Sequence, residues 1–328
     1  MNIESKPIPD ISVVIPVKNE AKRIAACLDG ILSQTVPVFE IIIIDSGSTD
    51  GTQEIASNYS KVTVIEILPE EFNHGDTRNL GVKSAKGEYV LFTVGDARPV
   101  NDRWISYLLS GFESDSVAGV CGMQVVAHEK DTNPVEWFKP SNKNPESISY
   151  QYNSIEEYEA TSAEEKRVAC GWDDVSAMYR KKVVEEVPFR RIVYGEDVYW
   201  AIDALKAGYI LTYNPSAQVY HFHQEDYKTT LKRTIAVCYL RYTALGSTPS
   251  FIQVPKTLFT SVYRLLKMSN LSLKEKYFWI SYNFNLVRAL ALGIKLFENA
   301  RTSGNREELD ILHKKYCGSP PIPLKNHD

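Results

Sequence analysis

The 328-residue sequence lacks the signatures of several large protein classes. Its five cysteines are scattered without a CxxC pair, which fits reduced thiols better than a disulfide framework. No GxGxxG follows the first strand-like run and no GxxxxGK[ST] occurs, which removes the usual dinucleotide and P-loop sites. A basic excess is also missing, since 37 Lys and Arg against 41 Asp and Glu give a net charge of −4. Binding to nucleic acid is therefore not expected.

Membrane-spanning and export segments are also not expected. The polar N-terminus lacks the apolar core of a signal peptide. The apolar stretch Tyr277–Phe297 is interrupted by charged Arg288 and Lys295, which would be costly inside a bilayer. We predict an amphipathic helix that packs on the rest of the chain in a cytoplasmic protein. The alternative is a helix on the inner face of the plasma membrane, where five basic residues would attract anionic lipid: Lys256, Arg264, Lys267, Lys274 and Lys276.

The first third of the sequence alternates strand and helix signals. Strand-like runs occur at Ile11–Val17, Glu40–Asp45, Val62–Ile67 and Tyr89–Val94. Four consecutive isoleucines in the second run are typical of a parallel strand buried on both faces. The βαβαβαβ pattern predicts an open α/β sheet with right-handed crossovers.

The sequence divides into two predicted domains. Residues 1–235 contain the α/β pattern, and residues 236–328 are predicted to be a helical extension with a proline-rich tail. Within the first domain, residues 127–167 lose periodicity and gain Asn, Ser, Glu and Pro, which predicts a long loop or a partly helical lid.

Polar residues follow the predicted strands at the edge where ligands of open α/β sheets bind. Pro16 lies at the end of the first predicted strand and Glu20 follows it. Asp45 ends the second strand and is followed by Ser46, and Asp96 follows the fourth strand. The Asp45 carboxylate is suited to accept from a base imide or ribose hydroxyls. The alternative is that it belongs only to a turn and helix cap.

A second polar cluster, Asn73, His74, Arg78 and Asn79, lies at the predicted start of a helix. A forked guanidinium and a helix N-terminus together suit a diphosphate. The alternative is that Arg78 simply pairs with Asp76.

Histidines and further acids complete the candidate set. His221 and His223 lie two apart on a predicted strand, Ala217–His223, and so point to one face, where they and Asp96 could hold Mg²⁺ or Mn²⁺. A hydrogen-bonded structural pair is the alternative. Asp197, beside Glu196, either caps a helix or accepts a proton from a hydroxyl nucleophile. For the pair Asp173–Asp174, a structural role and a catalytic role are equally open.

Taken together and in this order, these motifs resemble family-two glycosyltransferases of the GT-A fold. The Phe-Asn-His-Gly and His-x-His elements are most similar to the bacterial rhamnosyltransferase-like branch. The resemblance covers about the first 235 residues and rests on eight segments: Val13–Glu20, Ile43–Thr52, Phe72–Gly81, Gly87–Val90, Gly95–Pro99, Asp173–Ser176, Gly195–Asp197 and Val219–His223.

The resemblance implies a Rossmann-like mixed sheet flanked by helices and a set of site roles. Donor binding is implied for Pro16, Glu20, Asp45, Ser46, Arg78 and Asp96. A divalent cation, Mg²⁺ or Mn²⁺, would be held by Asp96, His221 and His223, and Asp197 would be the general base. Acceptor contacts are assigned to Trp137, Trp172, Asp174 and Glu196.

The implied reaction is an inverting transfer of a sugar from a nucleoside-diphosphate donor. The first expectation for the donor is dTDP-rhamnose, and for the acceptor a glycan or lipid-linked hydroxyl in bacterial surface polysaccharide synthesis. Two departures stand out: Val94 replaces the first Asp of the common Asp-x-Asp motif, and Asp76 adds negative charge near the expected diphosphate. The alternative is a non-catalytic subunit that binds nucleotide sugars or acts as a scaffold.

Overall fold

The computed structural model describes residues 9–127, 129, 132–135, 146–247, 253–304 and 306–318. Contacts within the chain divide it into two units. The first comprises residues 1–125 and 138–221, and the second comprises residues 126–137 and 222–328. The division thus falls after residue 221, earlier than the predicted boundary at 235, and a short internal segment joins the C-terminal helices.

Nine strands in the described part of the first unit form one mixed sheet with the order β3-β2-β1-β4-β8-β6-β9-β5, and β7 pairs with β9. The strands are β1 (Ile11–Val17), β2 (Glu40–Asp45), β3 (Val62–Glu66), β4 (Tyr89–Phe92), β5 (Arg98–Pro99), β6 (Val117–Val125), β7 (Ile148–Tyr150), β8 (Ala177–Arg180) and β9 (Ile210–Tyr220).

The four predicted N-terminal strands are confirmed as the parallel half of this sheet. In register, β1 pairs with β2 through Val17↔Asp45, and with β4 through Val14↔Phe92. Residues Ile41–Ile44 are all buried, as expected for a strand covered on both faces. The other half is mixed, because β8 runs antiparallel to both β4 and β6.

Eight helices accompany the described sheet. They are α1 (Ile24–Leu32), α2 (Thr52–Ala56), α3 (His74–Ser84), α4 (Trp104–Ser110), α5 (Ile155–Ala160), α6 (Ala163–Ala169), α7 (Lys181–Glu186) and α8 (Glu196–Lys206). The main core contains apolar residues of α1, α4 and the sheet, including Leu28, Ile43 and Trp104. The indole N–H of buried Trp104 donates to the Ser176 hydroxyl (2.8 Å), so its one polar atom is paired.

The segment predicted as a long loop or partly helical lid, 127–167, is partly helical in its described residues. It contains β7, α5 and α6 among its described residues. Both helices begin with a serine N-cap, Ser154 and Ser162, and Ser162 forms a capping box with Glu165. These local caps stabilise short helices that hydrophobic periodicity alone does not reveal.

The described C-terminal residues of the second unit are helical, as predicted: α9 (Tyr227–Leu245), α10 (Gln253–Lys267), α11 (Leu273–Thr302) and α12 (Arg306–Cys317). One face of α11 is buried, including Trp279, Ile294 and Phe297, as expected for a packed amphipathic helix. Across the described helices we find none with the length and apolar character needed to cross a membrane.

The buried isoleucine ladder gives a direct stability test. Ile43 is fully buried in β2, so Ile43→Ala should lower the free energy of unfolding by about 3 kcal/mol through lost burial and an unfilled cavity. Urea unfolding measures the change. Leu32→Ala at the partly exposed end of α1 is the control, and an equal loss in both variants would contradict the assignment of the core.

Candidate active site

The loops after β1 and β2 are tied together by hydrogen bonds. The Asn19 N–H donates to the Ser48 hydroxyl (2.8 Å), and the Asn19 side-chain oxygen accepts from the Thr49 N–H (2.9 Å). The Glu20 N–H donates to the Thr52 hydroxyl (2.8 Å). Asn19 has φ +58°, a left-handed conformation that Asn adopts more readily than most residues. These bonds hold the two strand ends in one rigid edge.

Asp45 lies at this edge and is fully buried. Its Oδ1 accepts from the backbone N–H groups of Gly47 (2.8 Å) and Ser48 (2.7 Å). Burial raises the pKa of Asp45, but hydrogen bonds from Ser48 and its neighbours outweigh it, so the pKa lies below its usual value. The buried Oδ2 has no hydrogen-bond partner among the described residues. Asp45 is thus an ionised carboxylate with one oxygen left to accept from a ligand.

Pro16 and Ser46 lie beside Asp45 at the ends of β1 and β2. The Glu20 side chain lies next to Gly95 and 3.8 Å from Arg23 Nη1. Pro16 pairs in register with Ile44. The buried Ser46 hydroxyl donates to the Val17 carbonyl (3.2 Å), which links the ends of β1 and β2.

Asp96 forms the second part of the site with His221 and His223. One ligand atom from each of the three lies within 4.8 Å of the other two. The predicted strand through His223 is wrong, because β9 ends at Tyr220. The histidines therefore meet Asp96 from the segment that follows the strand. Arg23 also reaches this carboxylate, with Nη1 3.0 Å from Asp96 Oδ2.

Gln124 on β6 fixes the orientation of the His221 ring. The Gln124 amide nitrogen donates to the Asp173 carboxylate, so its oxygen is left to face His221 Nδ1 at 2.6 Å. An amide oxygen only accepts, and Nδ1 must therefore carry the proton. In neutral His221 the lone pair is then on Nε2, which lies 3.5 Å from Asp96 Oδ1.

This donor set fits a divalent cation. A neutral imidazole nitrogen and a carboxylate oxygen that face one another are both electron-pair donors, and a cation between them removes their repulsion. A hydrogen bond from the second ring nitrogen to an oxygen is the usual support of a metal-bound histidine. Carboxylate oxygen ligands suit Mg²⁺ and Mn²⁺.

Arg78 lies at the centre of a buried ionic cluster. Its Nη1 donates to Glu196 Oε1 (2.6 Å), and its Nε contacts Asp174. All three residues are buried. The Asp174 carboxylate also accepts from the Tyr179 hydroxyl. In this structure the guanidinium therefore pairs with two carboxylates rather than with Asp76, and its expected role on a donor stays a prediction.

The cluster surrounds Asp197 with negative charge. Asp197 is in the first turn of α8, where Gly195 occupies the N-cap position, and its Oδ1 accepts from the Val198 N–H of the same turn (2.8 Å). Burial, Glu196 and Asp174 raise the pKa of Asp197 well above its usual value, and Arg78 offsets only part of this. Burial and Glu196 likewise raise the pKa of Asp174 to about 6 against the opposing effect of Arg78.

The Phe-Asn-His-Gly motif has a structural role that the sequence alone does not reveal. Asn73 caps α3 by accepting from Gly75 and Asp76, and its amide donates to the Ile192 carbonyl (2.8 Å). A Cβ at Gly75 would come within 2.1 Å of the Arg190 carbonyl oxygen. The expected diphosphate site at this helix start is therefore not supported, because Asn73 already satisfies the first amides.

Further polar contacts hold the segment that precedes α8 against helix α3. Asn79 exchanges two hydrogen bonds with the backbone of Phe189, at 2.8 and 3.0 Å. Asp76 pairs with Arg191, so its charge is compensated at that position. Asn73 and Asn79 thus position the chain that leads to Glu196 and Asp197.

The predicted acceptor residues do not form an acceptor surface in this structure. Trp172 is buried, donates to the Tyr179 hydroxyl (2.6 Å) and packs against Trp200. Asp174 and Glu196 are occupied by Arg78 in the interior. Trp137 lies outside the described residues. We therefore assign no acceptor role to Trp172, Asp174 or Glu196.

Three contributors were not singled out from the sequence: Gln124, Tyr179 and Arg23. Gln124 orients His221, Tyr179 supports Asp174, and Arg23 contacts Asp96. A glutamine near a strand end and a tyrosine in an apolar strand carry no distinctive sequence signal. Arg23 follows the first polar motif, and that proximity is the signal that could have identified it.

The fold is that of a GT-A glycosyltransferase. The structure is similar to the solved mannosyltransferase PcManGT from Pyrobaculum calidifontis in complex with GDP-Man and Mn²⁺, with a TM-score of 0.53. The match has 17% sequence identity and covers 94% of this chain and 84% of that chain.

Residues 12–187 match the family model of glycosyl transferase family 2, and the chain belongs to this family. It is 33% identical to the glycosyltransferase AglE of Haloferax volcanii over 63% of this chain and 64% of that protein. It is 31% identical to the O-antigen chain rhamnosyltransferase RfbN of Salmonella typhimurium over 65% of this chain and 66% of that protein. The matched region thus spans slightly less than two thirds of each relative.

Replacement of the central arginine tests the ionic cluster. Arg78→Met should lower the free energy of unfolding by about 3 kcal/mol, because it leaves two buried carboxylates without their cation. The exposed pair Arg191–Asp76 provides the control, and Arg191→Met should cost less than about 1 kcal/mol. Urea unfolding measures both. Equal stability of Arg78→Met and wild type would show that Arg78 has no structural role.

The raised pKa of Asp197 predicts a pH-dependent gain in stability on its removal. The native state holds this proton more tightly than the unfolded state, so ionisation of Asp197 costs stability as the pH rises above about 4. Asp197→Asn should raise the free energy of unfolding by about 1 kcal/mol at about pH 8 and leave it unchanged near the acid limit. Urea unfolding across this range measures it, with exposed Asp102→Asn as control. A pH-independent difference would refute the proposed cause.

Proposed function

We propose that this protein is an inverting glycosyltransferase that moves a sugar from a nucleoside-diphosphate donor to an acceptor hydroxyl. The proposal rests on the two groups of side chains that lie at one edge of the sheet. Asp45 offers a buried, ionised carboxylate with an unsatisfied oxygen, and the carboxylate–histidine cluster at Asp96 offers ligands for a cation.

The nucleoside would bind at the end of β1 and β2. Asp45 Oδ2 would accept from the base or the ribose, with Pro16, Glu20 and Ser46 lining the same edge. The bonds that tie Asn19 and Glu20 to the second loop keep this surface in place before the donor arrives. Such preorganisation lowers the entropy cost of binding.

A divalent cation, Mg²⁺ or Mn²⁺, would be held by Asp96, His221 and His223. When bound, it would offset the negative charge of the nucleoside diphosphate leaving group. Gln124 would keep the lone pair of the neutral ring on His221 Nε2, since it holds the proton on Nδ1. Val94, which replaces the first carboxylate of the common motif, adds no ligand, so the two histidines become the main partners of Asp96.

Asp197 would act as the general base. The acceptor hydroxyl would lose its proton to the Asp197 carboxylate while its oxygen forms a bond to the anomeric carbon. The bond from that carbon to the diphosphate oxygen breaks, and attack from the opposite face inverts the configuration. Burial and the negative neighbours of Asp197 raise its pKa, which makes the ionised carboxylate a stronger proton acceptor.

For the donor we propose dTDP-rhamnose and, for the pathway, bacterial surface polysaccharide synthesis. The support is the similarity to a protein named as an O-antigen chain rhamnosyltransferase. The acceptor would be a glycan or a lipid-linked glycan. We place the reaction in the cytoplasm, at the inner face of the plasma membrane where such an acceptor is lipid-linked. Residues 127–167, with Trp137, would contribute to the acceptor site.

Separate measurements of nucleoside diphosphate binding and of sugar transfer test the proposal. Purified Asp197→Asn should bind a nucleoside diphosphate as wild type does, yet transfer sugar at least about 100-fold more slowly, because the proton acceptor is lost. Calorimetric titration with dTDP, UDP and GDP in the presence of Mn²⁺ measures binding, and product analysis measures transfer. Exposed Asp102→Asn is the control and should retain transfer.

Two results would contradict the proposal. Full transfer by Asp197→Asn would exclude Asp197 as the base. Tight nucleotide-sugar binding by wild type without transfer to any glycan acceptor would instead support a non-catalytic binding subunit.

A further inference from the structure

An apolar stripe without a described partner runs along α10. Phe259, Tyr263 and Leu266 follow one another at the i, i+4, i+7 spacing that places them on one face of a helix. All three are exposed, and Phe259 has 74% of its surface accessible. The opposite face, with Val254, Ser261 and Leu265, is buried, so the stripe points away from the interior.

The next helix repeats this arrangement. Leu273, Tyr277 and Phe284 fall on one face of α11, and Leu273 and Tyr277 are 86% and 76% accessible. The buried face of the same turns contains Trp279 and Asn283. The stripe of each helix lies opposite the buried side of that helix, and we refer to the six exposed side chains of the two stripes together as the apolar face.

Positive charge accompanies the apolar face. From Gln253 to Lys295 the sequence has seven basic residues and one acidic residue, although the whole chain is net negative. Lys256 and Lys267 border the stripe of α10, and Lys274 and Lys276 are in the first turn of α11. The single acidic residue, Glu275, forms the capping box of α11 with Ser272. Lys267 lies over the Tyr263 ring (5.7 Å), so its stem follows the apolar surface.

We propose that the apolar face of α10 and α11 docks on an anionic lipid bilayer. Exposed aromatic and leucine side chains between lysines are the composition of helices that lie in the interface of a membrane. The apolar side chains would enter the boundary between headgroups and acyl chains, and the lysines would extend to the lipid phosphates.

The charge distribution favours a bilayer over a second copy of the chain. A symmetric dimer through this face would bring the same lysines of both copies together, and the resulting repulsion opposes association. A bilayer that contains anionic lipid supplies the complementary charge. The inference concerns the second unit alone and does not depend on the proposed transfer reaction.

Vesicle binding tests the proposal. The full-length protein should sediment with vesicles of phosphatidylcholine containing about one third phosphatidylglycerol, and far less with phosphatidylcholine alone. The double variant Phe259→Ser with Leu273→Ser should lower the ratio of bound to free protein at least about tenfold. The triple variant Lys256→Gln, Lys267→Gln, Lys274→Gln should lower it to a similar extent.

Matched controls separate this face from general surface effects. Lys83, Lys182 and Lys314 are exposed lysines elsewhere, and their triple replacement by Gln should leave vesicle binding unchanged. Ile311→Ser, at another exposed apolar position, should also leave it unchanged. Thermal unfolding of each variant shows that it is folded. Nucleoside diphosphate binding, measured in parallel, reports on the proposed function separately.

Three outcomes would overturn the proposal: no sedimentation of wild type with anionic vesicles, equal sedimentation with both vesicle types, or undiminished sedimentation of both face variants. A concentration-dependent dimer in analytical ultracentrifugation that the face variants abolish, without vesicle binding, would assign the face to a second copy instead.

Discussion

The buried guanidinium of Arg78 is the interaction on which the proposed chemistry depends. It joins α3 to the acids Asp174 and Glu196, which precede β8 and begin α8. Two buried carboxylates beside one cation leave excess negative charge. Together with burial, this charge raises the pKa of Asp197. The same ion pairs that hold α8 in place therefore also set the proton affinity of the proposed base. Stability and reactivity are coupled here, because an ionised Asp197 is costly to the fold.

The two halves of the sheet contribute different parts of the site. The parallel half presents the strand ends where Asp45 is desolvated and held by backbone amides. The mixed half supplies Gln124 from β6 and His221 from the segment after β9. A donor at this edge would meet a rigid nucleoside surface on one side and carboxylate and imidazole ligands on the other. This division follows from the topology, since strand ends from distant parts of the sequence meet only in the sheet.

Much of this arrangement could be predicted from the sequence, for identifiable reasons. The β-branched run of β2 is distinctive, and the carboxyl ends of parallel strands must share an edge. The loops after β1 and β2 therefore meet, as the bond from the Glu20 N–H to Thr52 shows. Other features depend on packing that the sequence does not show. The burial of Arg78 and Trp172, the capping of α3 by Asn73 and the end of β9 before His221 all result from tertiary contacts. Gln124 could not be identified, because its role depends on partners far away in the chain.

Anomalous diffraction at the manganese edge, from crystals of the protein with Mn²⁺ and a nucleoside diphosphate, shows where the donor and its cation bind. We expect a manganese peak bound by Asp96 and His221, with diphosphate oxygens beside it and the nucleoside within hydrogen-bond distance of Asp45. A manganese ion held by other residues, with the nucleotide remote from Asp45, would show that this sheet edge is not the donor site.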